Sequence, residues 1–409
     1  MINPEASNNL SFRSLLVIVA TLGFYTNIAV YLNKMGFISI APINLIILLG
    51  VISICVIGPP FLINHQLPNY LSVSVVSWVM FYLLICSMWF APTDWSEPIE
   101  SIFLKRIKAV LAFCIFLLIF SGSENVQTLV RRTLLLAMCL AMLNNVYEFF
   151  SPGSFVSLFS ERANPGRSAG FYVNANLSGS ALVLGMIFTV GIFPQKYRWV
   201  YLVSVLLAVF LTFSRGSLIQ WLLVVIIFLK GNMLRKSYFL MMILGLGFLL
   251  YFFLPHLVDF INGQKGIDPT NVIERLNWIQ NPFASKGDHF SDRKSVLNLS
   301  WEMFMDHPFL GNGMGSAATW ANDQLSHNLY LYFMVDHGLI GFFILPFFAF
   351  SVIWKACGEA KQIALPFLVF VLTEGWVSHN LLEQYHVLIA SALMAAMTQR
   401  SLFWSQSHS

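Results

Sequence analysis

One histidine and its neighbours are the residues best suited to acid–base chemistry. His327 lies in Ser-His-Asn-Leu-Tyr-Leu at 326–331, where a polar segment meets an apolar run. An imidazole at such a boundary can take or give a proton near neutral pH, so His327 is a candidate general base. The alternative is a helix-capping or interfacial histidine. His337 is the competing candidate base, because the adjacent Asp336 could orient its ring.

Basic side chains at the ends of apolar runs form a second candidate set. Arg215 lies in Phe-Ser-Arg-Gly-Ser at 213–217, a link between two apolar runs that is too short for a free loop. A guanidinium stays charged and matches pairs of phosphate oxygens, so Arg215 is a candidate ligand for a diphosphate. Further candidates are Arg167, Arg293, Lys105, Arg106 and Lys108. Snorkelling to the lipid headgroups is the alternative for Arg215 and for the cluster at 105–108.

Polar residues close to these candidates are expected to support the site, and they are Asn174, Asn176, Asn328, Asp336 and His337. Asn174 and Asn176 precede an apolar helix, which either could instead cap. Asp336 lies within an apolar run, where ionisable groups are costly and usually functional. Gly338 and Gly341 predict a break in that run. A zinc site formed by His289, Asp292, His327 or His337 lacks the spacing of a ligand set, so we expect no metal.

The elements that position these residues must be membrane helices. Of the 409 residues, 57% are hydrophobic and only 10% are charged, whereas a soluble domain carries about 25% charged residues. This composition excludes a soluble globular protein, a disordered chain and a fibre, and it predicts an all-α polytopic membrane protein. About twelve spans are expected near 13–32, 37–58, 70–90, 103–121, 126–149, 175–194, 198–213, 216–230, 238–255, 330–352, 362–378 and 384–400.

The charge distribution predicts the orientation of these spans. With both termini cytoplasmic, the inner loops are strongly basic, most clearly at 230–236. This orientation leaves two long polar segments outside, 150–174 and 256–327. We therefore expect transmembrane helices 1–9 in residues 1–255, a large periplasmic loop domain at 256–327, and helices 10–12 in residues 328–409. Within the loop domain, the apolar pattern from Arg293 to Met305 predicts a helix near the surface.

Several of these motifs together resemble the O-antigen ligase and polymerase family of bacterial envelope glycosyltransferases, and O-antigen ligase in particular. The features that match are spread over roughly 160–345. They are Arg167 with Asn174 and Asn176, Ser-Arg-Gly-Ser at 214–217, Arg293 ahead of His-Pro-Phe-Leu-Gly-Asn-Gly at 307–313, Ser-His-Asn-Leu-Tyr-Leu at 326–331 and Asp-His-Gly-Leu-Ile-Gly at 336–341. The family often has a Pro-Asn pair where Ala175 and Asn176 stand here.

The resemblance implies a C-type glycosyltransferase-like membrane fold in the bacterial inner membrane, with an active site facing the periplasm. The donor would be a glycan on undecaprenyl diphosphate and the acceptor the lipid A core oligosaccharide, and the reaction would need neither metal nor ATP. Membrane lipids would surround the protein, and nucleic acid would have no role. A polymerase would instead extend the glycan on its lipid carrier. An exporter of lipid-linked glycan is the alternative from another class, although no internal repeat is visible.

Overall fold

The computed structural model describes residues 4–63, 72–88, 97–157, 166–235, 288–319 and 327–407, together with the isolated positions 160, 237, 256, 259, 260, 263, 272, 273 and 276. Among these residues, all regular secondary structure is helical. Together with the apolar composition, this confirms that the chain is a helical membrane protein.

The described helices follow the apolar runs of the sequence. The first group comprises α1 (Pro4–Ala20), a π-helical turn (Thr21–Tyr25), α2 (Ile28–Lys34), α3 (Pro42–Ile63), α4 (Val73–Met88), α5 (Glu97–Phe120) and α6 (Glu124–Phe150). The second comprises α7 (Ala175–Thr189), α8 (Arg198–Leu211), α9 (Arg215–Lys230) and α10 (Asp288–Asp306). The third comprises α11 (Ser316–Thr319), α12 (Leu329–Phe342), α13 (Ile344–Ile353), α14 (Gly358–Glu374) and α15 (Tyr385–Ser407).

Length and composition decide which of the described helices can cross a membrane. Two of them qualify outright: Glu124–Phe150, and Ala175–Ile192, which is α7 with its 3-10 extension. Two bent pairs raise the number to four if each is one span: Phe12–Tyr25 with Ile28–Lys34, bent by 55°, and Leu329–Phe342 with Ile344–Ile353, bent by 59°. Helices occupy the predicted spans except 238–255, which lies outside the described residues. The total of twelve spans stays a prediction.

The chain folds into two compact units, neither of which is continuous in sequence. The first unit comprises Met1–Ala20, Ile40–Val130 and Asp288–Ser409, and the second comprises Thr21–Ser39 and Arg131–Gly287. The loop domain at 256–327 stays a prediction, and its residues from 288 onwards belong to the first unit.

In the first unit, α5 packs against α3 and α15, and α10 packs against α12. The helix expected from Arg293 to Met305 is confirmed by α10. Met303 and Phe304 of this helix are buried against Leu331 and Val335 of α12, whereas Trp301 is half exposed. α10 therefore covers the α12 segment that follows His327.

In the second unit, α7 packs against both α8 and α9 and is buried along almost its whole length. Gly179 permits a close approach, because a Cβ atom there would collide with Ser217 of α9. Phe213, in the short link between α8 and α9, is buried with Val272 and Leu276. The tight link predicted at 213–217 is thus held in a packed core.

Candidate active site

His327 lies at the point where the first unit's chain enters α12. Its side chain is exposed, whereas Asn328 directly after it is buried. Asn328 is the N-cap of α12, since its Oδ1 accepts a hydrogen bond of 3.1 Å from the Leu331 N–H. The neighbouring asparagine therefore fills the capping role that was the alternative for His327.

A second histidine, which the sequence analysis did not single out, lies beside the first. The ring of His379, in the loop between α14 and α15, has its centroid 5.5 Å from that of His327, with 50° between the ring planes. The same loop is tied to the start of α12, because the Leu329 N–H donates to the Gly375 carbonyl at 2.8 Å. One signal in the sequence pointed there: Ser-His-Asn-Leu occurs at 326–329 and again at 378–381.

Arg106, Asp336 and His337 form a buried cluster in the first unit. The Arg106 Nη2 donates to Asp336 Oδ2 at 2.6 Å, and Nη1 donates to His337 Nε2 at 2.8 Å. Asp336 and His337 are fully buried, and Arg106 is 1% exposed. The guanidinium also lies 5.2 Å from the ring centroid of Phe333. The Nε2 atom of His337 already accepts a hydrogen bond from Arg106, and His337 has no solvent-exposed surface. The geometry therefore favours His327 as the base.

The three basic side chains at 105–108 therefore lie in two different environments, one exposed and one buried. Lys105 and Lys108 are exposed on α5, as a diphosphate ligand requires. Arg106 points inward, because its position in the helix directs it to Asp336 rather than to the surface. Arg293 lies in the second turn of α10. Diphosphate binding by Lys105, Lys108 and Arg293 stays a prediction.

The break predicted at Gly338 is confirmed, and a glycine-rich turn supports it. Gly338 has φ 63° and ψ −153° inside α12, a conformation that is essentially restricted to glycine. The break removes helical hydrogen bonds, and the turn at 307–315 replaces them. The Asn312 N–H donates to the Val335 carbonyl at 2.8 Å, and the Leu339 N–H donates to the Pro308 carbonyl at 2.8 Å. This turn thus fixes the segment that carries Asp336 and His337.

Asp336 also connects the break to α11. Its Oδ1 accepts a hydrogen bond of 3.1 Å from the Ala317 N–H, while Oδ2 holds Arg106. The carboxylate therefore joins α5, α11 and α12 at a single buried point. Its role here is to hold these elements in place, and its side chain does not orient the ring of His337.

In the second unit, Arg167 and Arg215 both lie next to the link between α8 and α9. Arg167 donates from Nε to the Thr212 carbonyl at 3.0 Å and from Nη2 to Asn176 Oδ1 at 2.7 Å. Arg215 is the first residue of α9 and is half-buried. Ser214 is the N-cap of that helix. The structure therefore brings Arg167, Asn176 and the start of α9 into one cluster.

Asn174 has the capping role that was its alternative interpretation. It is the N-cap of α7, and its Oδ1 accepts a hydrogen bond of 2.9 Å from the Asn176 N–H. Two helix N-termini, those of α7 and α9, thus lie beside two guanidinium groups. Both features favour an anion, because backbone N–H groups and the helix dipole attract negative charge. Among the described residues, no group of three or more His, Cys, Asp or Glu side chains is arranged to hold a metal ion.

The fold and these clusters define a helical membrane protein with an exposed histidine before one helix and cationic groups at the ends of others. Residues 200–345 match the family model described as O-antigen ligase, which confirms the family resemblance. The matched region contains Arg215, Arg293 and His327, whereas Arg167 and the cluster at 105–108 precede it. The match supports a ligase- or polymerase-type function in O-antigen biosynthesis. Comparison with curated proteins gave no match.

Proposed function

We propose that the protein is an O-antigen ligase, which transfers a glycan from undecaprenyl diphosphate to the lipid A core oligosaccharide in lipopolysaccharide biosynthesis. The observation that carries the proposal is the exposed imidazole of His327, directly before a helix that Asn328 caps. This histidine lies in the region that matches the O-antigen ligase family. The reaction takes place on the periplasmic face of the inner membrane, where the donor is already activated by its diphosphate.

His327 acts as the general base. A neutral imidazole nitrogen takes the proton from an acceptor sugar hydroxyl as that oxygen attacks the anomeric carbon of the donor. The bond from the anomeric carbon to the diphosphate breaks, and undecaprenyl diphosphate leaves with the bonding electron pair. The proton then passes from the imidazolium to water, which regenerates the base.

The diphosphate is held by cationic groups, of which Arg215 is the principal one. Arg215 lies in the first turn of α9, so its guanidinium and the helix N-terminus can both attract the diphosphate. Arg167 contributes a second guanidinium at the same link, and Asn176 fixes its position. Lys105, Lys108 and Arg293 are further candidates. Fixed positive charge of this kind stabilises the negative charge that grows on the leaving group, so no metal or ATP is required.

A transfer assay with purified protein in detergent tests the proposal. The substrates are an undecaprenyl diphosphate-linked glycan and a lipid A core acceptor, and we expect the glycan to appear on the acceptor. If the glycan instead lengthens on its lipid carrier, the protein is a polymerase. If no transfer occurs and lipid-linked glycan moves only across sealed vesicles, the protein is an exporter and the proposal is wrong.

The role of His327 predicts a loss of activity in His327→Asn. Removing a general base lowers the rate by about 10²–10⁴-fold. Asparagine would satisfy a capping or packing role, so it isolates the loss of the base. Wild-type activity should rise with pH, because only the neutral form of the imidazole can take a proton from the acceptor. The exposed His256 gives a control, and His256→Asn should keep full activity. An active His327→Asn enzyme would remove His327 as the base.

A further inference from the structure

Two copies of the tetrapeptide Ser-His-Asn-Leu, far apart in the chain, place their histidines side by side. His327 precedes α12, and His379 lies in the loop between α14 and α15. Their ring centroids are 5.5 Å apart, within the range at which two imidazoles influence each other's charge and orientation. The repeated asparagines act differently, because Asn328 caps α12 and Asn380 stabilises its own loop.

The loop that carries His379 is held rigidly by hydrogen bonds. Gln384 Nε2 donates to Ser378 Oγ and to Asn380 Oδ1, both at 2.9 Å, so the residues on either side of His379 are joined. The last turn of α14, which leads into this loop, is also fixed to α12, because the Tyr330 hydroxyl donates to the Leu372 carbonyl at 2.9 Å. His379 is therefore positioned by its surroundings, and its ring is not simply a mobile surface group.

The ring of His379 is partly buried and neutral. Burial, and next the positive charge that His327 can carry, lower the pKa of His379 to about 4. Its Nδ1 atom is buried and has no hydrogen-bond partner among the residues that the structure describes. A neutral imidazole offers one N–H donor and one lone pair. At neutral pH the His379 ring therefore takes no proton from its neighbour, and one of its two nitrogens carries a lone pair that can accept a hydrogen bond.

Other charged and titratable groups lie on the elements packed around the pair. They include Lys105 and Arg106 on α5, Tyr332, Asp336 and His337 on α12, Glu374 on α14, Glu383 in the loop, and Tyr385 and His386 on α15. Burial raises the pKa of the Glu383 carboxyl, and the positive charges of Arg106 and Lys105 offset part of that rise. The positive charge of His327 lowers the pKa of His379.

We propose that His379 is a positioning residue for His327, which orients its imidazole and stabilises the imidazolium that forms when His327 takes the acceptor proton. The proposal rests on the proposed function of His327 as the base. In serine hydrolases a carboxylate has this task behind the catalytic histidine, where it fixes the ring and stabilises its charged form. A neutral ring with a free lone pair can do the same more weakly.

Two variants of His379 test the proposal in opposite directions. His379→Phe keeps an aromatic ring but removes the lone pair, so the imidazolium of His327 becomes less stable. His379→Asp places a carboxylate beside His327, so the imidazolium becomes more stable. The readout is the pH dependence of His327 modification by diethyl pyrocarbonate, which reacts with neutral imidazole, measured by mass spectrometry of the peptide. This readout does not depend on any transfer activity.

We expect the pH midpoint of His327 modification to fall by about one unit in His379→Phe and to rise by at least about one unit in His379→Asp. The kcat of transfer in His379→Phe should fall about tenfold, with the KM values unchanged. His256→Phe, at an exposed histidine elsewhere, should change neither quantity. Unchanged midpoints in both variants, or shifts in the same direction, would overturn the proposal. A wild-type protein without transfer activity would contradict the proposed function alone.

Discussion

At the scale of single residues, the degree of burial distinguishes an arginine that pairs within the protein from one that is a candidate ligand for an anion. Arg106 is 1% exposed and is neutralised by Asp336, so its charge is used within the protein. A buried ion pair of this kind is weak evidence for stability, yet removing one partner leaves a buried charge and costs about 3–5 kcal/mol. Arg215 is half-buried at a helix N-terminus, a position that favours the binding of an anion. The residue type alone does not distinguish the two.

Arg215→Ala should lower transfer activity at least about ten- to hundredfold at equal protein level. The reason is that a hydrogen bond from a charged group contributes about 1.5–3 kcal/mol, and each 1.4 kcal/mol is tenfold. Arg215→Lys should restore activity only in part, because lysine lacks the planar fork. Lys230, at the other end of α9, gives the matched control, and Lys230→Ala should keep its activity. Full activity in Arg215→Ala would refute diphosphate binding by this residue.

Sequence reasoning found the individual candidates better than their partners. His327 and Asn328 were predicted because a polar segment meets an apolar run there, a signal that is local. The pairing of Arg106 with Asp336 joins residues 230 positions apart, and no spacing rule gives such a contact. His379 was missed for the same reason, although the repeated Ser-His-Asn-Leu gave a signal. Contacts of this kind arise from tertiary packing, which a single sequence does not encode as a pattern.

At the scale of elements, the break in α12 is what shapes the region behind His327. Glycine at 338 permits a backbone conformation that other residues avoid, and the turn at 307–315 approaches so closely that Gly311 must also lack a side chain. The glycines in both segments were visible in the sequence, and they predicted a break and a turn. That the turn supplies the hydrogen bonds lost at the break was not predictable, because it needs the packing of two distant segments.

Gly338→Ala should destabilise the protein and reduce transfer. The backbone conformation alone costs about 1–3 kcal/mol in a residue other than glycine. A Cβ atom would also collide with the Phe309 carbonyl, so the turn at 307–315 must move. Gly36→Ala separates the two effects, because Gly36 also has a positive φ of 80° but has open space around it. Thermal unfolding in detergent should show a clearly larger loss for Gly338→Ala. Equal losses would mean that the close contact has no effect.

At the scale of the whole molecule, two features determine what the chain can do. The apolar composition is that of a membrane protein, and helices occupy each predicted span within the described residues. Length and composition qualify up to four spans among those residues. The total of twelve stays a prediction, which requires shorter apolar helices such as Val73–Ser87 to cross the membrane as well. The distribution of basic residues then predicts which face carries the chemistry, provided that a span at 238–255 separates the basic loop at 230–236 from the segment at 256–327.

The topology prediction places both termini and the 230–236 loop in the cytoplasm, and the segments 150–174 and 256–327 in the periplasm. The inner face then carries Arg13, Arg131, Arg132, Lys196, Arg198, Lys230, Arg235, Lys236, Lys355, Lys361 and Arg400. Only Glu5, Glu124 and Glu359 oppose them, and short basic loops stay on the cytoplasmic side. Fusions of a reporter that is active only in the periplasm should therefore be silent at 232 and active at 160 and 290. Activity at 232 with silence at 290 would invert the orientation, and His327 would then face the cytoplasm, where the proposed lipid-linked donor is not presented.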